Sequence, residues 1–158
     1  MKMIMTRSEV FESTGPTTGT HMRFRVGVDK EGKILLLHRK NEPASGKWWF
    51  PGGRVLIGEK RIDAARRKLI EECGLVSHFF ENIGTFEIMF NSRSIGLIHS
   101  ITTIFEVIIE SGQSICLDSQ SFSASWLSPR EWMDEKLDKF VADVIASVEL
   151  EPTKLNLK

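Results

Sequence analysis

A chain of 158 residues with 41% hydrophobic and 27% charged side chains is the size of one ordinary domain, able to bury a core without staples. Its 21 basic residues balance 21 acidic ones, which removes any global electrostatic pull toward nucleic acid or an acidic membrane. Two cysteines are too few for a disulfide framework, and no stretch approaches the ~20 apolar residues of a membrane helix.

The first residues lack the apolar core of a secretory signal, so a cytoplasmic protein is the default expectation. Residues 11–20 are rich in Thr, Gly and Pro and read as a lead-in loop. Met22, Phe24, Val26 and Val28 alternate with other residues, the pattern of a half-buried strand. Residues 29–33 read as a hairpin turn with Gly32 at positive φ, and Ile34 to Leu37 as the return strand. Trp48-Trp49-Phe50 is a short apolar segment running into Pro51-Gly52-Gly53. A helix follows Glu59, with Ile62, Ala65, Leu69, Ile70 and Cys73 at helical spacing and Gly74 as a left-handed cap. At ~100° per residue, Lys68, Glu71 and Glu72 share the opposite side of that helix. Ile83–Phe90 and Ile95–Ile109 read as strands around a turn at residues 91–94, the second long enough to be bent or two-part. Ser128-Pro129-Arg130-Glu131 is a helix start with a capping box, and Leu137, Phe140, Val141, Val144, Ile145 and Val148 give it an apolar face. Residues 151–158 read as a tail. The expectation is a single α+β domain over 1–158, a mixed sheet between helices.

The chemistry concentrates between Gly53 and Leu75. Glu59 stands six residues after Gly53, Arg67 eight beyond Glu59, and Glu71-Glu72 shortly before Gly74. Two adjacent acids on a helix after a glycine turn can hold Mg²⁺ against a diphosphate, because that ion takes one or two carboxylates, waters and phosphate oxygens. The Gly52-Gly53 turn lets a backbone carbonyl approach the ion with no side chain in the way. An isolated Glu-Glu pair is usually a solvated face; the added glycines, Glu59 and Arg67 at fixed spacing argue otherwise.

This spacing resembles the Nudix box, G-x5-E-x7-R-E-U-x-E-E-x-G-U, at every defined position except Lys68, which replaces the first helix glutamate. The resemblance implies an α/β/α sandwich of the Nudix type. It also implies that Arg67 and Glu59 pair in structural support of the metal acids Glu71 and Glu72. Lys68 reads either as a solvent lysine pairing with Glu71 or Glu72, or as a positive charge replacing one acid of the metal cluster. The second reading predicts a single-ion site of weaker affinity, or contact between Lys68 and a substrate phosphate.

Outside the box, residues 39–55 (R-K-N-E-P-A-S-G-K-W-W-F-P-G-G-R-V) and Trp126-Leu127-Ser128-Pro129 are similar to GDP-mannose mannosyl hydrolases. Members of that branch attack the sugar carbon with water and release GDP and free sugar. Carried over, the likeness implies that Arg39 and Arg54 hold the diphosphate. Glu72, the Gly53 carbonyl and Gln120 would hold Mg²⁺, with Mn²⁺ as an alternative ion. His99 matches a strand histidine of the branch and is, with Glu71 and Glu72, a candidate catalytic residue. Ser121 stands where the branch has its histidine base, and Ser100 where it has a leaving-group tyrosine. A serine hydroxyl is no base at neutral pH, so Asp118 is an alternative.

Three readings follow: a nucleoside diphosphate sugar hydrolase of GDP-mannose type, a pyrophosphohydrolase attacking phosphorus with Glu71 or another acid activating water, and a binding module without catalysis. Nucleic-acid work is disfavoured by the neutral charge, although Trp48 or Trp49 could stack a base; adjacent strand residues point to opposite faces, so at most one would. A homodimer is left open.

Overall fold

The structure is a computed structural model describing residues 17–26, 32–42, 44–92 and 96–149. Strands β1 (Thr17–Val26), β2 (Ile34–Arg39), β3 (Trp48–Trp49), β4 (Gly52–Arg54), β5 (Phe80–Ser92), β6 (Gly96–Ile109) and β7 (Ser121–Leu127) form one seven-stranded sheet. Helix α1 (Arg61–Cys73) covers one face; α2 (Pro129–Met133) and α3 (Lys139–Glu149) cover the other. This is the expected mixed α+β sandwich.

The strand Ile34-Leu35-Leu36-Leu37 shows why both faces are covered. A strand buried on both sides reads as a continuous apolar run rather than an alternation. Leu35 and Leu37 pack with Leu69 and Cys73 of α1, while Ile34 and Leu36 pack with Trp132, Val141 and Val144 on the other face. The buried half of β6 divides likewise, Phe105, Val107 and Ile109 toward α1 and Ile104 toward α3.

The sheet opens where the functional loop enters. β1 and β2 pair antiparallel only at Phe24–Leu35 and Arg25–Ile34. Beyond that point residues 48–54 lie between them: β3 pairs with Leu37 and His38 of β2, and β4 with Gly19 to His21 of β1. On its far edge β1 runs parallel to β6, from Thr17 opposite Ser100 to Val26 opposite Ile109. Residues 17–20, read from sequence as a loop, are therefore strand. Their small residues give no apolar alternation, and their pairing comes from β4 and β6, both distant in sequence.

Four other expectations are refined. Ile70 is 55% exposed, while Ala64 takes a buried position on α1. β6 is one unbroken strand, although its burial changes at Thr102; the irregularity lies in β5, between Asn82 and Gly84. The C-terminal amphipathic stretch is two helices, because the capped first turn ends at Asp134 and α3 begins at Lys139. Trp48 and Trp49 both pack into the α2/α3 layer, against Trp132 and Phe140 respectively. β3 is only two residues long before the chain turns into β4, so strand alternation does not separate them. Gly32 has positive φ as expected. The lead-in over 1–16, the rest of the first turn at 27–31, part of the second at 93–95 and the tail lie outside the described residues.

Candidate active site

Helix α1 starts without a side-chain cap and ends as its sequence predicts: Gly74 is left-handed, and its N–H donates to the Ile70 carbonyl at 2.9 Å. The carbonyls of the last turn would otherwise lack partners. Two are met by a later loop, since Cys116 N–H donates to Cys73 O at 2.8 Å and Asp118 N–H to Glu72 O at 3.4 Å. This docking carries Asp118 and Gln120 to the end of the helix that bears the acids.

Arg67 organises the entry loop. Its Nε donates to Glu59 Oε1 at 2.7 Å and its Nη2 to Glu59 Oε2 at 2.9 Å, the fork geometry that suits a carboxylate. The same Nη2 reaches the Arg54 carbonyl at 3.1 Å, and Nη1 reaches Glu71 at 3.3 Å. Glu59 Oε2 also accepts from Leu56 N–H at 2.9 Å, closing the loop on itself. The Glu59 hydrogen bonds hold the guanidinium pKa above its already high ordinary value.

The two acids differ in environment. Glu72 is only 4% exposed, and its Oε2 accepts from the Gly52 N–H at 3.0 Å. Burial pushes its carboxyl above the usual range, against the opposing pull of Lys68, the Gly52 N–H and Arg39. Glu71 is far more open. Its slight burial is outweighed by the Lys68 hydrogen bond and the charges of Lys68 and Arg67, so its pKa lies below the usual range. Lys68 bridges them, its Nζ 3.1 Å from Glu71 Oε2 and 3.0 Å from Glu72 Oε1. Burial works to discharge this ammonium, but the Glu72 and Glu71 carboxylates prevail and raise its pKa.

Arg39 ends β2 just past an irregularity in its pairing with β7, and its charge acts on Glu72. Arg54 lies exposed on β4 beside Gly53, which is paired with Thr20. Gln120 accepts from Lys40 N–H at 2.8 Å through its main-chain carbonyl, while its side-chain amide donates to Asp118 Oδ2 at 3.1 Å. Asp118 Oδ1 accepts from Gln120 N–H at 2.9 Å, the local turn that loop aspartates commonly make. Ser121 is buried at the start of β7. His99 stands apart: its Nε2 is 2.6 Å from Glu87 on β5, and four strand residues, about 13 Å, separate it from Thr103 in the row of Gly53.

The chemistry of the donor set, two carboxylates beside a glycine turn, suits a hard divalent ion that takes its remaining ligands from waters and phosphate oxygens. Among the described residues no group of three or more His, Cys, Asp or Glu is arranged to hold a metal. What sequence reading missed is the loop docking through Cys116 and Asp118. Those bonds are main-chain, so no residue type announces them.

The NUDIX domain model matches residues 23–148, and the chain belongs to this family. It is 37% identical over 86 residues to the low-salt glycan biosynthesis protein Agl8 of Haloferax volcanii, covering 52% of this chain and 55% of that protein. Over 111 residues it is 30% identical to a putative 8-oxo-dGTP diphosphatase of Bacillus subtilis, covering 70% of this chain and 67% of that one. A shorter match, 39% over 59 residues, joins it to an ADP-ribose pyrophosphatase of Methanocaldococcus jannaschii and covers 37% of this chain and 35% of that protein. The first two curated relatives named that fall short in coverage are thus matched over about half and a third of their length. The NUDIX domain of Shewanella oneidensis NrtR, solved with ADP ribose, superposes with TM-score 0.72 at 19% identity over 92% of this chain and 98% of that one, a likeness of fold. No helix among the described residues is long and apolar enough to cross a membrane.

Proposed function

We propose that this chain hydrolyses a nucleoside diphosphate sugar with the help of Mg²⁺, and that GDP-mannose is the first substrate to test. The observation that carries the reading is the buried Glu72, held by Gly52 and flanked by Glu71, with Arg39 and Arg54 nearby and the Arg67–Glu59 fork fixing the loop. The glycan biosynthesis role in the name of the Haloferax relative fits a sugar-bearing substrate.

Glu71 and Glu72 would hold the metal, with the Gly53 carbonyl and Gln120 completing its surroundings. Bound there, the ion would neutralise the diphosphate and stabilise the leaving group. Arg39 and Arg54 supply guanidinium forks for phosphate oxygens. Arg67 acts through others, holding Glu59, the Arg54 carbonyl and Glu71 in register.

A second reading, attack at phosphorus, is favoured by the state of the candidate bases for attack at carbon. His99 is engaged with Glu87, Asp118 with its own loop, and Ser121 is buried. Glu71 is paired with Lys68 and Arg67 but stays solvent-exposed within the cluster. The names of the diphosphatase and pyrophosphatase relatives agree with that chemistry. Turnover of GDP-mannose with Mg²⁺ in heavy-oxygen water separates the two. Label in free mannose with release of GDP means attack at carbon, and label in GMP or mannose 1-phosphate means attack at phosphorus. Absence of turnover with GDP-mannose, other nucleotide sugars and ADP-ribose alike would sink both.

A further inference from the structure

Lys68 is no ordinary surface lysine. Its side chain is only 13% exposed, and its ammonium lies 3.0 Å from the buried Glu72 and 3.1 Å from Glu71. Its stem is laid across the loop at Gly53. A Cβ there would come within 2.5 Å of Lys68 Cε and 3.3 Å of Cδ, so the absence of a side chain at 53 gives the lysine its channel. We propose that the Lys68 ammonium is a tethered cation occupying the position between Glu71 and Glu72, and that a divalent ion gains both carboxylates only by displacing it.

The physical argument is one of charge and space. A buried carboxylate without a counter-ion is costly, and Lys68 gives Glu72 one that never dissociates from the chain. A divalent ion entering between the acids must break both lysine contacts before its own attraction counts in full. Two carboxylates already shared with an ammonium present about one net negative charge, against two without it. The result is a site that is assembled in the absence of metal and binds metal weakly. Displaced toward the open side, the ammonium remains within reach of whatever anion accompanies the ion. This inference rests on the reading of Glu71 and Glu72 as metal acids.

The test uses Mn²⁺ alone as probe, titrated into the full chain and followed by the electron paramagnetic resonance of the free ion, with thermal melting alongside. Lys68→Met is expected to bind Mn²⁺ about tenfold more tightly than the natural protein, to melt lower without metal, and to gain more from its addition. Gly53→Ala covers the case in which Lys68→Met fails to fold. It keeps the lysine charge, but its methyl pushes the flexible stem off the loop, and it too is expected to tighten Mn²⁺ binding several-fold. Unchanged affinity in the folded variants, with binding abolished by Glu72→Gln, overturns the proposal and leaves the carboxylate site standing. Binding that survives Glu72→Gln undiminished overturns the carboxylate site and the proposal with it.

Discussion

Arg67 is the residue that ties the site together: one guanidinium joins Glu59, Glu71 and the Arg54 carbonyl, and so couples a loop, a helix and a strand. Arg67→Ala would take both guanidinium hydrogen bonds from the half-buried Glu59. Loss of such charged hydrogen bonds is expected to cost about 2 kcal/mol. Misplacement of the loop is expected to lower turnover about a hundredfold. Arg67→Lys keeps the charge without the fork and should recover part of the stability but little of the rate. Urea unfolding and steady-state kinetics of the two variants measure this; equal stability of all three proteins would remove Arg67 from its supporting role. The Arg67–Glu59 pairing was legible in the sequence only through the resemblance to the Nudix box, and the structure makes it. The burial of Glu72 was not. Helical periodicity puts it with Lys68 and Glu71 on a polar side, and only the arrival of β4 over that side encloses it.

Among the elements, α2 shows how a five-residue helix persists. Ser128 Oγ accepts from Glu131 N–H at 3.3 Å, Glu131 Oε2 accepts from Ser128 N–H at 2.8 Å, and Pro129 opens the first turn. The helix exists to seat Trp132, whose indole N–H donates to the Ile34 carbonyl at 2.9 Å inside the core. Ser128→Ala is expected to cost about 1 kcal/mol in urea melts. The Ser128 hydrogen bonds hold the Glu131 carboxyl below its usual range. A carboxylate whose folded pKa is depressed contributes stability above its unfolded pKa and loses it as the pH falls through the folded value. The difference between the natural protein and Glu131→Ala should therefore be present at neutral pH and fade below about pH 4. A difference that persists undiminished in acid would contradict this. The capping box was readable from four residues in sequence. The break after it was not, because Leu137 continues the apolar spacing across Asp134 to Asp138, where the chain leaves the helix. β1 shows the converse. Its first four residues, Thr17 to Thr20, look like a loop until the parallel partner and the β4 wedge are both in place.

At the scale of the whole molecule, the sheet is held unevenly along one strand. From Thr102 to Ile109, β6 is flanked by β1 and β5 and covered on both faces; from Gly96 to Ile101 the same strand is largely open. The strand is continuous in its hydrogen bonds but not in what surrounds them. Amide exchange by mass spectrometry or NMR is expected to divide there. Residues 102–109 should exchange only through global unfolding, and residues 96–99, which pair with β5 but not with β1, through opening of the β5–β6 ribbon alone. Uniform protection along β6 would mean that the ribbon moves as one piece with the core. The row of residues joining Arg54, Gly19 and Thr102 falls at this boundary. The acids thus rest on the clamped half of a lever, and His99 and Glu87 ride on its free arm. A swing of that arm would leave the spacing of the site's charges untouched.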